Sequence, residues 1–598
     1  MRIIIPNDCT SLEMLAAEEL KEYIRKLFKT NASIGNECDC YENCNETVFF
    51  IGRPAEMSES CKSCWKGEIP VLSDQGFVIR NIGKSKLWLF GGSPVATLWA
   101  IYELVERWGV VYSLQGDVYP SEKVQFDIPS DSRVFEPRQR MRSWRIFNEH
   151  FTGPTSWSIS QQKKVIKQLI KQKYNGVYFV MWPQHPFVNF EIEGISRSNA
   201  SFGFGVPVPL TPDNIGYERM PESNFFNNPE FIGCKTYEDW HKCGVRYASA
   251  VFDYAKKYGM VVSLGFLPYH IPAEYKSLMQ KPLESPGLRR FAFDEGGDFY
   301  NPMHVKLLKM QFDAYFYTYP QVDIFDINLP EHVTINMDQF EESWRSLDKR
   351  FGIAMKYDIE KLIAEQSKES LAAGGMERSA REARMTIMMM NSLHRLLDET
   401  GFLQRLQSKG KELSIQAGLS CPGIIPVIAD TLWDNAHLNI CPAYTSPRAV
   451  RSLRMLDGIR NSKIKIDQVI TLQDDNIGSL PQICTHSIDR LIEYASENEW
   501  NGYYTRYWPI GDIDSVSIFM SDASWNKEAS PYSSYNRYAG SLYGKKAAKP
   551  VIQALNLLED ATVILDTNHL GLIFPVKDLL TGRIGCGTKK QVPETLLH

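Results

Sequence analysis

Two hydrophobic rhythms run along this chain, changing over near residue 135. In the first stretch a short apolar strand, "RIIIP", precedes "SLEMLAAEELKEYIRKLF", where Leu12, Leu15, Leu20, Tyr23, Ile24 and Leu27 recur near helical spacing. Ser11 is placed to cap this helix, with Glu13 and Glu18 toward its positive end. "TVFFIG", "GFVIRNI" and "KLWLFGG" read as strands and "SPVATLWAIYELVERWG" as a second helix ended by Gly109. "VVYSL" then closes a small α/β domain over residues 1–135. "DIPSDSRVFEPRQR", rich in proline and charge, reads as the linker that follows.

Beyond it, strand and helix patterns alternate. Strands are expected at "MRSWRIF", "GVYFVMW", "MVVSLGF", "VDIFDIN", "LSIQAGL", "AHLNICP", "DQVITLQ" and "GYYTRYW". Amphipathic segments such as "SQQKKVIKQLIKQK", "YEDWHKCGVRYASAVFDYAKKYG" and "PRAVRSLRMLDGIRN" lie between them. Eight such units predict an α/β architecture with a (β/α)8 barrel over residues 136–530. Residues 183–235 and 338–410 are the expected loop insertions, and 531–598 a helical C-terminal extension.

In such a barrel the C-terminal strand ends carry the chemistry. The fourth strand, "VDIFDINLPEHVTIN", interrupts its apolar run with Asp326 and Asn328, then stops at Pro330 before Glu331 and His332. Alternation turns Ile324, Asp326 and Asn328 to one side, so the last inward layer is polar and Glu331 sits at the mouth. The first strand delivers Arg145, Glu149 and His150, the second Trp182, and the third Tyr269 and His270. The seventh delivers Asp474 and Asp475, and the eighth Arg506 and Trp508. Carboxylates converging with Arg, Tyr and Trp suit a sugar pocket, in which acids do chemistry and aromatics cover ring faces.

Glycoside cleavage needs two carboxyl groups. Glu331 is the candidate acid. Parity with Thr471 and Gln473 turns Asp475 inward as the second carboxylate, with Asp474 and Glu149 as rivals. Arg145 and Arg506 suit a substrate carboxylate or paired hydroxyls, or equally a neighbouring Asp or Glu. His150, His270 and His332 lack local ligand spacing, so neither a metal nor a cofactor is expected.

Composition adds exclusions. The 598 residues are 43% hydrophobic and 23% charged, with a net charge of −5, so no basic nucleic-acid footprint is present. Aromatic residues reach 12%, a slight lean toward sugar binding. No apolar run approaches the ~18 residues of a spanning helix, and "MRIIIPNDCT" does not read as a secretory leader. The chain is expected to be cytoplasmic, or periplasmic or secreted if a signal peptide has been removed. Of 12 cysteines, five cluster at Cys38, Cys40, Cys44, Cys61 and Cys64, open to a zinc site, disulfides or a plain Cys-rich loop. Oligomeric state is not legible.

The segments "AAEELKEYIRKLF" and "GGSPVATLWAIYELVERWGVVYSL" resemble the small α/β domain that precedes the barrel in α-glucuronidases and β-N-acetylhexosaminidases. "LQDDNIGSLPQ" and "YYTRYWPIGDIDSVSIFMSDASWN" resemble the last strands of bacterial members of this group. The resemblance implies a glycoside hydrolase acting on an oligosaccharide or polysaccharide, with the acid after the fourth strand at Glu331. In the α-glucuronidases, later strands supply the water-activating carboxylates, matching Asp475 or Asp474. Hexosaminidases carry an adjacent Asp-Glu pair after strand four, and here Pro330-Glu331 stands instead. The substrate expected is a uronic acid or an N-acetylhexosamine-containing glycan. The alternative is a catalytically inactive, carbohydrate-binding barrel. A lyase or aldolase would require a Schiff-base lysine or metal ligands, and none of the eight strand ends offers a lysine.

Overall fold

A computed structural model describes residues 1–36, 46–58, 68–83, 85–148, 153–202, 228–267, 270–278, 292–293, 302–329, 337–369, 375–418, 421–457, 459, 463–473, 482–507 and 513–567. The chain forms two compact units.

The first unit comprises residues 1–140 with 164–175 and 514–555. Its six-stranded sheet runs Ser33–Asn36, Arg2–Ile5, Val48–Gly52, Lys86–Gly91, Phe77–Asn81, Arg133–Phe135. The first four strands pair in parallel and the last two antiparallel. Ile4, Phe50, Val78, Trp88 and Phe90 form one buried cluster. Helices Ser11–Phe28 and Pro94–Arg107 pack on the sheet and on each other.

Two expectations are corrected here. Thr10, not Ser11, caps the first helix: its hydroxyl accepts from the Glu13 N–H while the Glu13 carboxylate accepts from the Thr10 N–H, a reciprocal capping box. The expected linker contains a strand, because Arg133–Phe135 pairs with Phe77–Ile79 and Phe135 stacks on Phe77. Residues 164–175 join this unit through Lys171, 2.7 Å from Asp117, and Lys173, 2.6 Å from Glu106.

The second unit holds a closed barrel of eight parallel strands. These are β1 Met141–Phe147, β2 Gly176–Met181, β3 Val261–Phe266, β4 Ile324–Asn328, β5 Glu412–Ala417, β6 His437–Ile440, β7 Lys465–Gln473 and β8 Gly502–Tyr507. All eight coincide with the apolar segments singled out in the sequence, and β8 closes the barrel onto β1. Between β4 and β5 the insertion is helical, with Met337–Phe351, Ile359–Glu369, Gly375–Thr400 and Phe402–Ser408. Register shifts occur where β1 meets β2, at Tyr178/Phe179, and where β7 meets β8, between Thr471 and Gln473. Among the described residues no helix is long and apolar enough to cross a membrane.

Candidate active site

The upper barrel interior is built around one tyrosine pair. Tyr178 on β2 and Tyr504 on β8 stack with ring centroids 4.3 Å apart and planes 8° from parallel. The Tyr178 hydroxyl donates to Asp326 on β4 and lies 3.1 Å from Asn328 Oδ1; the Tyr504 hydroxyl donates to Gln416 on β5. Burial, and then the Asp326 charge, push the Tyr178 hydroxyl well above its ordinary pKa, so it stays a donor. Space for its ring comes from β3: a Cβ on Gly265 would fall 2.3 Å from the Tyr178 hydroxyl and 2.8 Å from Asn328 Nδ2. Val180, Leu267, Cys441 and Val469 pack with the two tyrosines.

Asp326 is the polar hub. Besides Tyr178, it accepts from the Ser414 hydroxyl on β5 and from Asn439 Nδ2 on β6 at 2.7 Å. The side chain is fully buried, which raises its pKa against the pull of these three donors. With its oxygens engaged from three strands, Asp326 orients Tyr178, Ser414 and Asn439.

Arg145 on β1 lies over the pair, its guanidinium 5.2 Å from the Tyr178 centroid and 5.8 Å from that of Tyr504. It is 5% exposed, and its Nε has no hydrogen-bond partner among the described residues; nor does any described carboxylate pair with it. Its backbone is held by the barrel seam. The β8–β1 ladder runs to Tyr504 opposite Ser143, after which side chains continue it. The Thr505 hydroxyl accepts from the Arg145 N–H at 3.0 Å, the Tyr507 hydroxyl donates to the Arg145 carbonyl at 2.9 Å, and Asn148 Nδ2 donates to the Tyr507 carbonyl at 2.6 Å.

Trp182, just past β2, is partly exposed and packs against the Tyr178–Tyr504 cluster, with His185 Nδ1 accepting from its N–H at 2.9 Å. Arg506 on β8 donates to the Tyr444 carbonyl at 3.1 Å and sits 5.3 Å from that ring.

The segment that follows Tyr444 is tied to the helix Lys545–Thr567, the last among the described residues. Asp566 on that helix is buried and accepts from Thr445, Arg448 and Arg451 at the start of the helix after β6. One and two turns earlier, Thr562 accepts from the Ile483 N–H and Glu559 from the His486 N–H, where the helix Thr485–Glu497 begins after β7. The C-terminal helix thus fixes the chain on the far sides of both the β6 and β7 rims.

Toward the N-terminal ends of the strands, His437 on β6 sits 2.7 Å from Asp467 on β7 and 3.5 Å from Glu412 on β5, and its charge also reaches Asp326. Burial opposes its charge, but the two carboxylates prevail and raise its pKa to about 9. This end of a barrel carries stability rather than chemistry.

Of the residues singled out in the sequence, Arg145, Asp326 and Asn328 are brought together around Tyr178; Trp182 flanks them. His270 lies on the short strand His270–Ile271, paired antiparallel with Ala292–Phe293. Glu331, Asp475, Asp474, Glu149, Tyr269, His332 and Trp508 lie outside the described residues, as do His150 and the five clustered cysteines. The register shift between Thr471 and Gln473 interrupts the strand alternation, so parity does not separate Asp475 from Asp474. Sequence reasoning missed Tyr178, Tyr504, Ser414, Gln416 and Asn439. The signal was present: each falls at an alternating polar or aromatic position inside an expected strand.

No protein-family model matches the chain, and no curated protein matches it in sequence. Solved structures do. A GH138 enzyme targeting pectin rhamnogalacturonan II is 10% identical with a TM-score of 0.53, the match covering 94% of this chain and 55% of that one. A family GH115 4-O-methyl-α-glucuronidase with specificity for decorated arabinogalactans is 11% identical with a TM-score of 0.51, covering 94% and 61%. The family 89 glycoside hydrolase from Clostridium perfringens, solved with PUGNAc, is 10% identical with a TM-score of 0.53, covering 93% and 53%. The chain therefore spans a little over half the length of these proteins. Likeness at this identity is likeness of fold: this chain shares the barrel fold of these proteins.

Proposed function

We propose that the chain is a glycoside hydrolase that cleaves a complex glycan by carboxylate acid–base catalysis. In this reading Glu331 protonates the departing glycosidic oxygen. Asp474 or Asp475 activates water or attacks the anomeric carbon, the choice depending on whether the carboxyls stand about 6.5–9.5 Å or about 5–5.5 Å apart. Support comes from the shared fold and from the polar upper interior of the barrel, where Arg145, Asn328 and Trp182 gather around the Tyr178–Tyr504 pair.

The observation that carries most weight is Arg145. A guanidinium buried at this end of the barrel, without a carboxylate among the described residues, suits an anionic substrate group that completes it. That favours a uronic acid at the cleaved position over an N-acetylhexosamine. The solved matches include proteins of both kinds: an α-glucuronidase, and an enzyme captured with GlcNAc-α-1,4-galactose at a TM-score of 0.51.

The test is a panel of aryl uronides, aryl N-acetylhexosaminides and natural acidic glycans, followed by NMR of the first-formed anomer. Turnover of uronides is expected, with Arg145→Met raising KM on them at least tenfold and changing it little on neutral glycosides. Binding without turnover across the panel would point instead to a carbohydrate-binding barrel.

A further inference from the structure

Two cysteines meet where the connection after β2 enters the helix that follows it. Cys234 Sγ and Cys243 Sγ lie 3.4 Å apart, and both residues are partly exposed. Cys243 is in the second turn of the helix Tyr237–Lys257; Cys234 follows the short turn Pro229–Phe231.

Their approach is imposed by structure that does not involve sulfur. Asn228 Nδ2 donates to the Thr155 and Trp157 carbonyls, each at 2.9 Å, pinning the start of the turn. The Cys234 N–H donates to the Phe231 carbonyl at 3.2 Å. Two residues on, Thr236 opens the helix with a capping box, its hydroxyl accepting from the Asp239 N–H while Asp239 accepts from the Thr236 N–H. Phe231 packs on Trp240, 5.3 Å between centroids. Backbone and packing therefore hold the two sulfurs facing each other.

We propose that Cys234 and Cys243 form a disulfide site that staples the end of the β2–β3 insertion to the helix Tyr237–Lys257. A disulfide has an S–S distance of about 2.0 Å, so side-chain rotation at two partly exposed residues closes the gap. The oxidant is a low-molecular-weight disulfide. One cysteine thiolate attacks it and releases one small thiol; the other then attacks the resulting mixed disulfide, forming the Cys234–Cys243 bond and releasing the second. Two protein thiols are oxidised, one small disulfide is reduced to two thiols, and the protein's two protons end on those products. Burial and the adjoining Cys243 push the Cys234 thiol up to about 11, so closure accelerates with rising pH. A zinc site is disfavoured: among the described residues no three His, Cys, Asp or Glu side chains are grouped to hold a metal, and a structural zinc takes four ligands.

This bridge is independent of the hydrolase reading, and the test uses the unmodified full chain. The protein is equilibrated in glutathione buffers from fully reduced to strongly oxidising, alkylated and digested for peptide mapping. The expected result is a peptide pair linked through Cys234 and Cys243, two fewer alkylated thiols at these positions, slower proteolysis between residues 229 and 243, and an upward shift of the thermal transition. Cys234→Ser should leave Cys243 as a glutathione mixed disulfide. Glutathione on both cysteines of the unmodified chain, or persistence of both free thiols under the strongest oxidising conditions, overturns the assignment.

Discussion

Tyr178 and Asp326 meet across the barrel, the hydroxyl of one donating to the fully buried carboxylate of the other. Through this contact β2 and β4 share one polar centre, which Ser414 on β5 and Asn439 on β6 complete. Replacing Asp326 with Ala removes the shared acceptor of three buried donors; Tyr178 can turn to Asn328 Oδ1 and Asn439 Nδ2 keeps Ser414 Oγ at 2.7 Å, and each donor proton left unsatisfied costs about 1–3 kcal/mol. Loss of at least about 3 kcal/mol is expected in urea denaturation, whereas Tyr178→Phe, which removes one donor to the carboxylate, should cost about 1.5–3 kcal/mol.

Gly265 is required by the same centre. In Gly265→Ala the new methyl meets the Tyr178 hydroxyl and Asn328 Nδ2, both locked by the network. Overpacking of this kind costs about 1–3 kcal/mol. The same substitution combined with Tyr178→Ala should recover most of the loss produced by Gly265→Ala in the parent, measured as a double-mutant cycle.

His437 sets a pH dependence. Its folded pKa of about 9 lies above its ordinary 6.5, so its contribution is fully present below about 6.5 and is lost as pH rises through 9. Denaturant midpoints should therefore fall between neutral pH and pH values above 9, and His437→Gln should lack this slope. Removing the cation leaves Asp467 with the Asn501 amide, 2.8 Å away, and should cost about 3 kcal/mol at neutral pH.

The C-terminal helix braces the β6 rim through Asp566, whose carboxylate serves two arginines. Asp566→Asn should speed hydrogen exchange in residues 445–452 and leave exchange in the six-stranded sheet of the first unit unchanged. Equal acceleration in both regions would show that Asp566 supports global stability rather than this rim.

Much of the architecture was written in local pattern. Each barrel strand carries buried β-branched, aliphatic or aromatic residues broken by a few polar positions, and such segments stand out in any window. Ser33–Asn36 and Arg133–Phe135 did not, since edge strands of three or four partly exposed residues carry little apolar signal. The helix cap differs from the expectation by one residue because Thr10 and Ser11 are both competent, and only the reach of Glu13 distinguishes them. The polar centre was half legible: Asp326 and Asn328 break a strand visibly, but their partners come from β2, β5 and β6, and only the barrel's closure makes them neighbours. Parity does not separate Asp474 from Asp475, both outside the described residues, because a register shift between Thr471 and Gln473 breaks the alternation and no local sequence feature announces it.

The central claim is that the carboxylic acid of Glu331, which follows β4 in the sequence, protonates a glycosidic oxygen. Comparing the unmodified protein with Glu331→Gln on the best substrate of the glycan panel, with turnover and binding measured separately, tests it directly. A fall in kcat of at least a hundredfold with Kd changed less than about threefold is predicted, consistent with loss of general acid catalysis worth about 10²–10⁴. Retention of the parent kcat by Glu331→Gln would contradict it.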